Sequence, residues 1–305
     1  MIDIYITHHA PLEIAALDDV LVEEVHWIRH VTPPGFRVTI VAWPEEPVAR
    51  LRDRLPHDVA VVVNDRPGRA DCQPSMRNKA IDLALARPDC EAIVLLHNDV
   101  RPARGWLGHL VADWRVAEAR WGRDRCVVAP RYIPYHVVEP LLSTSIYPEI
   151  WDLLRSTRPS WEAIKTTDEM IAWCAKHGFL FDRDRREVIC PPNSEVTDDG
   201  HQIMMFIASP RFFDAVGPCD EAMTGSNYDD SDWGIRALLV GKKNLQSTGA
   251  LVAHAQGLTF SLPAVQRRPP AISNADVFVA KWGRPIFDEM QTGQLWPRLH
   301  REQEA

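Results

Sequence analysis

Apolar residues in this chain fall into two periods, and the change from one to the other marks the elements. Ile2-Asp-Ile-Tyr-Ile-Thr7 alternates and then reaches His8-His9, which predicts a first strand ending in polar groups. Leu12, Ala15, Ala16, Leu21, Val25 and Ile28 recur at helical spacing between Pro11 and His30, and Pro33-Pro34-Gly35 closes that helix. Phe36 to Ala42 predicts a second strand, Glu45 to Leu55 a charged helix, and Val59 to Val63 a short buried strand ending at Asn64-Asp65. A β-α-β-α-β alternation with short links predicts an α/β fold with a mostly parallel, doubly wound sheet.

After a polar loop from Arg66 to Pro74, Ser75 to Ala86 reads as a helix with Ser75 as its N-cap. Arg77 then falls in the first turn, where the helix dipole favours anions. It is read either as facing an anionic ligand or as a solvated cation. The next stretch organises the rest. Ala92 to Leu96 is a five-residue apolar run, the mark of a strand buried on both faces, and it leads into His97-Asn98-Asp99. Open α/β sheets place their ligands at that carboxyl end. Asp99 there suits a hard divalent cation, and equally the capping of the following helix. Pro102 predicts a stop, and Trp106, Leu107, Leu110 and Val111 line one side of the next helix.

Cys126 to Pro130 predicts a further strand leading into Arg131 to His136. From Val137 to Thr197 the pattern is irregular, broken by prolines and carrying Trp151, Trp161 and Trp173, which reads as an insertion on the sheet. Ile203 to Ile207 predicts another buried strand, and Ser209 to Gly217 a short helix with glycine at its exit. Asp229, Asp230 and Asp232 then crowd the start of a helix that continues through Ile235, Leu238 and Leu239. Three carboxylates exceed what capping needs, and their mutual repulsion raises at least one pKa, which suits proton abstraction or cation binding. Ala250 to His254 predicts a last strand ending in a histidine, read as a satisfied structural group or as a ligand. Arg267-Arg268-Pro269-Pro270 reads as a break, followed by a short helix from Asn274 to Trp282 and an amphiphilic, mobile end from Gln291.

Composition narrows the classes. A hydrophobic fraction of 46 %, a charged fraction of 25 % and a net charge of −8 describe an ordinary globular chain without the basic run a nucleic-acid partner requires. Six scattered cysteines, none in a Cys-x-x-Cys pair, argue against zinc or a disulfide framework and predict a reducing cytoplasm. The N-terminus lacks the basic and apolar regions of a signal peptide, and no apolar run reaches membrane-spanning length.

The order of these signals is more specific than any one of them. Arg77-Asn78, Asp99, Trp106-Leu107, Phe213-x-x-Val216-Gly217-x-x-Asp220-Glu221, Asp229-Asp230-x-Asp232 with Arg236 and Gly241, His254-x-x-Gly257-x-Thr259 and Lys281-Trp282-Gly283 follow one another in register. Together they resemble the family 2 glycosyltransferases of the GT-A fold, over residues 1–283. The resemblance implies one GT-A domain over 1–262 and a helical tail over 263–305. Within the domain it implies a nucleotide-binding half (1–130), an acceptor-side insertion (137–197) and an acceptor and catalytic half (198–262).

The resemblance also implies roles. Asp99 stands at the last position of the family's Asp-x-Asp motif and His254 at a histidine ligand of the same Mn²⁺ or Mg²⁺. Asp230 stands at the base that deprotonates the acceptor hydroxyl in inverting members. Arg77 and Asn78 border the donor's ribose and sugar, while Asp229, Asp232 and Arg236 organise the acidic loop. His97 departs from the pattern, occupying the first acidic position, so Asp99 and His254 are the protein ligands expected. The second strand ends in Ala42-Trp43-Pro44-Glu45 in place of an acidic base-reading segment, so Thr7, Trp43, Asn64 and Asp65, with His97 and Asn98, are donor-side groups by position. The donor implied is a nucleotide-sugar, UDP favoured over GDP or dTDP. The acceptor is a saccharide, a small molecule or a protein, and the oligomeric state is open. If His254 ligates, activity falls below about pH 6. The alternatives are a non-catalytic nucleotide-sugar or glycan-binding relative, kept in view by His97, and a nucleotidyltransferase, which lacks its Gly-rich phosphate loop.

Overall fold

Alternate residues of one strand must face opposite sides of a sheet, and the buried residues here sort accordingly. In the computed structural model, which describes residues 1–8, 16–43, 48–66, 72–134, 166–185, 187–198, 204–224, 227–254 and 274–304, Ile4 and Ile6 join one core while Tyr5 between them joins another. The strands are β1 (Ile2–His8), β2 (Phe36–Ala42), β3 (Ala60–Val63), β4 (Ala92–His97), β5 (Val100–Pro102), β6 (Cys126–Pro134), β7 (Leu180–Asp182), β8 (Glu187–Ile189), β9 (Val196–Thr197), β10 (Phe206–Ala208) and β11 (Lys243–His254). Nine of them form one sheet in the order β3-β2-β1-β4-β10-β6-β11-β5, with β9 also on β11, and β7 and β8 form a separate hairpin. Following the pairings, β1, β2, β3, β4, β6 and β11 point the same way, and β5, β9 and β10 run against them. The sheet is therefore mostly parallel.

Helices cover both faces. On one side α1 (Ala16–Val31), α2 (Val48–Arg52) and α4 (Trp106–Trp121) bury Leu21, Val25, Ile28, Leu51, Trp106 and Leu110 against the strands. On the other, α3 (Gln73–Leu85) contributes Met76, Ala80 and Ile81. Three further helices divide between the faces: α5 (Thr167–His177) belongs to the first side, whereas α6 (Phe212–Val216) and α7 (Asp229–Leu239) pack on the second through Phe212, Phe213 and Trp233. A smaller third core joins the outer side of α7 to α8 (Asn274–Trp282), α9 (Arg284–Gln291) and α10 (Leu295–Glu304).

Several local expectations change. The helix that carries Arg77 starts at Gln73 after Cys72, with proline in its first turn, so Ser75 is inside the helix and not its cap. Pro102 does end a strand, but that strand is β5, a separate edge strand whose position tolerates a missing N–H. The end of the chain is helical: Leu295, Trp296 and Leu299 make a stripe buried against α7. Within the 137–197 segment, residues 137–165, with Trp151 and Trp161, lie outside the described residues, as do His9, Gly257, Thr259 and the 267–270 break. Trp173 packs partly buried against the first core and stacks on Phe179. Among the described residues no helix is long and apolar enough to cross a membrane.

Candidate functional site

The carboxyl ends of β4 and β11 lie three strand positions apart in the sheet, yet their terminal histidines meet. The chain leaves β4 through Asn98-Asp99 and pairs at once with β11, so that Val100 sits opposite His254. The His97 and His254 rings then stand edge to face with centroids 5.5 Å apart. One ligand atom each from His97, Asp99 and His254 can be chosen so that all lie within 4.8 Å of one another. Asp99 Oδ1 is 3.2 Å from His254 Nε2, but the two are not aligned as a hydrogen bond, and this buried oxygen has no donor. Burial, with the charges of Arg77 and His254 beside it, holds the His97 imidazole well below the usual histidine range, keeping it neutral as a ligand must be.

His97 thus lies with Asp99 and His254 in one potential ligand set, one group more than the two ligands the motif implies. A histidine in place of an aspartate would change the donor atom without emptying the position. The clue available in the sequence is that His97 and Asp99 keep the one-residue separation of the Asp-x-Asp motif, with only the first acid replaced.

Arg77 connects this triad to the acidic helix. It is almost fully buried, with Nη1 donating to Asp229 at 2.7 Å and Nη2 reaching His97 Nε2 at 2.9 Å. The anion expected near Arg77 is therefore Asp229. A cation bound through His97 Nε2 would compete with this hydrogen bond. Next along α7, Asp230 is buried and accepts from the Ser231 N–H at 2.8 Å. Burial first, and the Asp229 charge second, raise its pKa to about 6 against the opposing pull of Arg77. Asp232 is engaged elsewhere: Arg236 Nε at 3.0 Å and Lys281 Nζ at 2.8 Å pair with it, and the Trp282 indole donates to it at 2.8 Å. Arg236 also donates to the Val216 and Pro218 carbonyls, fixing the entry to α7.

The donor-side candidates occupy the same edge with their polar groups engaged internally. Thr7 is bonded to the Leu96 carbonyl and to Gln73, Asn64 holds Ser75, and Asn78 spans Cys219 and Glu221. Asn98 lies 2.8 Å from Nδ1 of His8, whose Nε2 faces Asp18 at 3.1 Å. Asp65 is the exposed member, and Lys79 beside it holds its carboxyl below the usual range. Lys281, Trp282 and His8 were not among the candidates. Their partners are distant in the chain, and only Lys281-Trp282-Gly283 gave a signal, as part of the motif series.

No protein-family model matches the chain, and no curated protein does. Among solved structures, the crystal structure of GalNAc-T7 with UDP, GalNAc and Mn²⁺ matches with a TM-score of 0.51 at 14 % identity. The match covers 83 % of this chain and 43 % of that one, so the chain spans less than half the length of its neighbour. The fold resembles that of a GT-A glycosyltransferase. At this identity the likeness concerns the fold, and the chemistry has to be argued from the site.

Proposed function

We propose that this chain is a divalent-cation-assisted glycosyltransferase that moves a sugar from a nucleoside-diphosphate sugar to an acceptor hydroxyl, with inversion. The observation that carries the reading is the cluster of His97, Asp99 and His254 at the carboxyl edge of a GT-A-like sheet, joined through Arg77 to a buried acidic pair. These residues fit a cation: two neutral-capable imidazoles and a buried carboxylate oxygen lacking a donor converge on one place. A cation there supplies neutralisation of the negative charge that develops on a diphosphate leaving group. Two nitrogen donors favour Mn²⁺ over Mg²⁺, which prefers oxygen.

Asp230 is the base in this proposal. Its pKa of about 6 makes it ionised at neutral pH and still basic enough to take the acceptor proton, the balance that general-base catalysis needs. Arg77 pairs with Asp229 beside it. Thr7, Asn64 and Asn78 act by fixing the backbone around the donor, and Asp65 and Asn98 border the open side. A UDP-sugar is the donor we propose, supported by the solved neighbour that holds UDP and Mn²⁺. The test is Asp230→Asn. Transfer should fall at least roughly a hundredfold while calorimetric donor affinity stays within about twofold, since general-base removal costs on that scale. Turnover that survives the change would refute the base assignment.

A further inference from the structure

Two consecutive non-glycine residues just before α7 adopt the left-handed conformation, Asn227 at φ 70° and Tyr228 at φ 68°. L-residues resist this geometry, and it persists only where neighbouring structure imposes it. The C-terminal helices supply that structure. The Asn274 amide, at the start of α8, donates to the Asn227 carbonyl at 2.9 Å, and Asn274 is itself buried. The Tyr228 ring packs against both Phe278 of α8 and Phe287 of α9, with centroids 5.7 and 5.5 Å away, and Gln291 donates to its hydroxyl at 3.2 Å. The Tyr228 carbonyl in turn accepts the Asp232 N–H at 2.8 Å, the first turn of α7. At the end of α8, Lys281 and Trp282 grip Asp232.

We propose that α8 and α9 form a clamp whose task is to hold the strained Asn227–Tyr228 turn and so aim Asp230, with Asn274 and Tyr228 as positioning residues; this rests on Asp230 being the base. A tail that only covered an apolar patch would need Phe278 and Leu295. It would not need a buried amide on a loop carbonyl, nor an aromatic ring drawn from the loop itself. Both of these contacts act on the two residues that precede the acidic pair. They fix where the helix begins and hence where its first side chains point.

The experiment compares wild type with Asn274→Ala and Tyr228→Gly. The second gives the backbone a residue at ease in the left-handed region while removing the ring, so it guards against a variant that simply fails to fold. Two quantities are read in each: hydrogen exchange of peptides covering 227–233 and 92–97, and kcat and KM for donor with Mn²⁺ affinity. Exchange at 227–233 should rise at least roughly tenfold with 92–97 unchanged. Since small misplacements of a reacting group are costly, kcat should fall about tenfold while KM and Mn²⁺ affinity stay within about twofold. Unchanged exchange at 227–233 in a folded Asn274→Ala overturns the clamp. A kcat loss matched by equal losses in KM and metal affinity also overturns it, because that is general loosening. If wild type turns over no donor, the glycosyltransferase reading fails, and the exchange result alone decides whether the clamp exists.

Discussion

His97 departs from the Asp-x-Asp pattern in sequence yet keeps a metal-ligating type of side chain at that position. In one dimension it reads as a lost carboxylate. In space it lies with Asp99 and His254 in one potential ligand set, because β5 carries the chain from β4 onto β11. The motif series implies that Asp99 and His254 share a cation, but the approach of His97 to His254 is not legible, since strand order is not written in hydrophobic period. His97→Asp should restore an Asp-x-Asp pair and replace a nitrogen donor by oxygen, lowering the ratio of Mn²⁺ to Mg²⁺ affinity in a calorimetric titration. A ratio equal to wild type would remove His97 from the ligand set. Asp230 carries a pH signature of its own. Its folded-state pKa lies above the ordinary carboxylate value, so the folded protein keeps the proton to higher pH than the unfolded chain does. The group therefore costs stability as pH rises from the ordinary carboxylate range through about 6. Asp230→Asn should raise the thermal midpoint above pH 6 and leave it unchanged near pH 3. In wild type, turnover should decline as pH falls through about 6. A midpoint shift of equal size at both pH values would contradict the burial argument.

Elements were legible wherever one period held. Phe36–Ala42 and Asn274–Trp282 have the bounds that the pattern predicts. β11 is longer than the predicted Ala250 to His254, because Lys243 to Thr248 is polar in part and the register shifts between Gln246 and Leu251. That irregularity hides the alternation. The antiparallel direction of β10 was equally invisible, since an apolar run says nothing of orientation. Glycine at the exit of α6 was read correctly: Gly217 has φ 78°, and the Cβ of an alanine there would meet only Arg236 Nη1 at 3.5 Å, an ordinary contact. Space is available, so the cost of Gly217→Ala is conformational: with ψ 176° the backbone lies in a region essentially reserved for glycine, and the cost is about 1–3 kcal/mol. Chemical denaturation should show a lower midpoint with an unchanged slope. An unchanged midpoint would mean that the turn tolerates a side chain and that Arg236 does not depend on it.

For the molecule as a whole, the sheet brings three chemistries to one edge: the histidine and aspartate cluster, the acidic pair on α7, and the buried arginine between them. The C-terminal helices close this unit from the outer side of α7. Of them, only the stretch from Gln291 reads as a mobile end in sequence, because a short amphiphilic helix carries little period beyond one or two turns. The central claim is that this edge takes a nucleotide and a cation together. Its most direct measurement is thermal stabilisation of the wild-type protein by UDP-, GDP-, dTDP- and CMP-sugars, each with and without Mn²⁺, because a ligand that binds the native state raises the midpoint by mass action. The account predicts that a UDP-sugar raises the midpoint in the presence of Mn²⁺, that the rise is lost without the metal, and that Asp99→Ala and His254→Ala abolish it. No shift with any donor, metal present or absent, would contradict it.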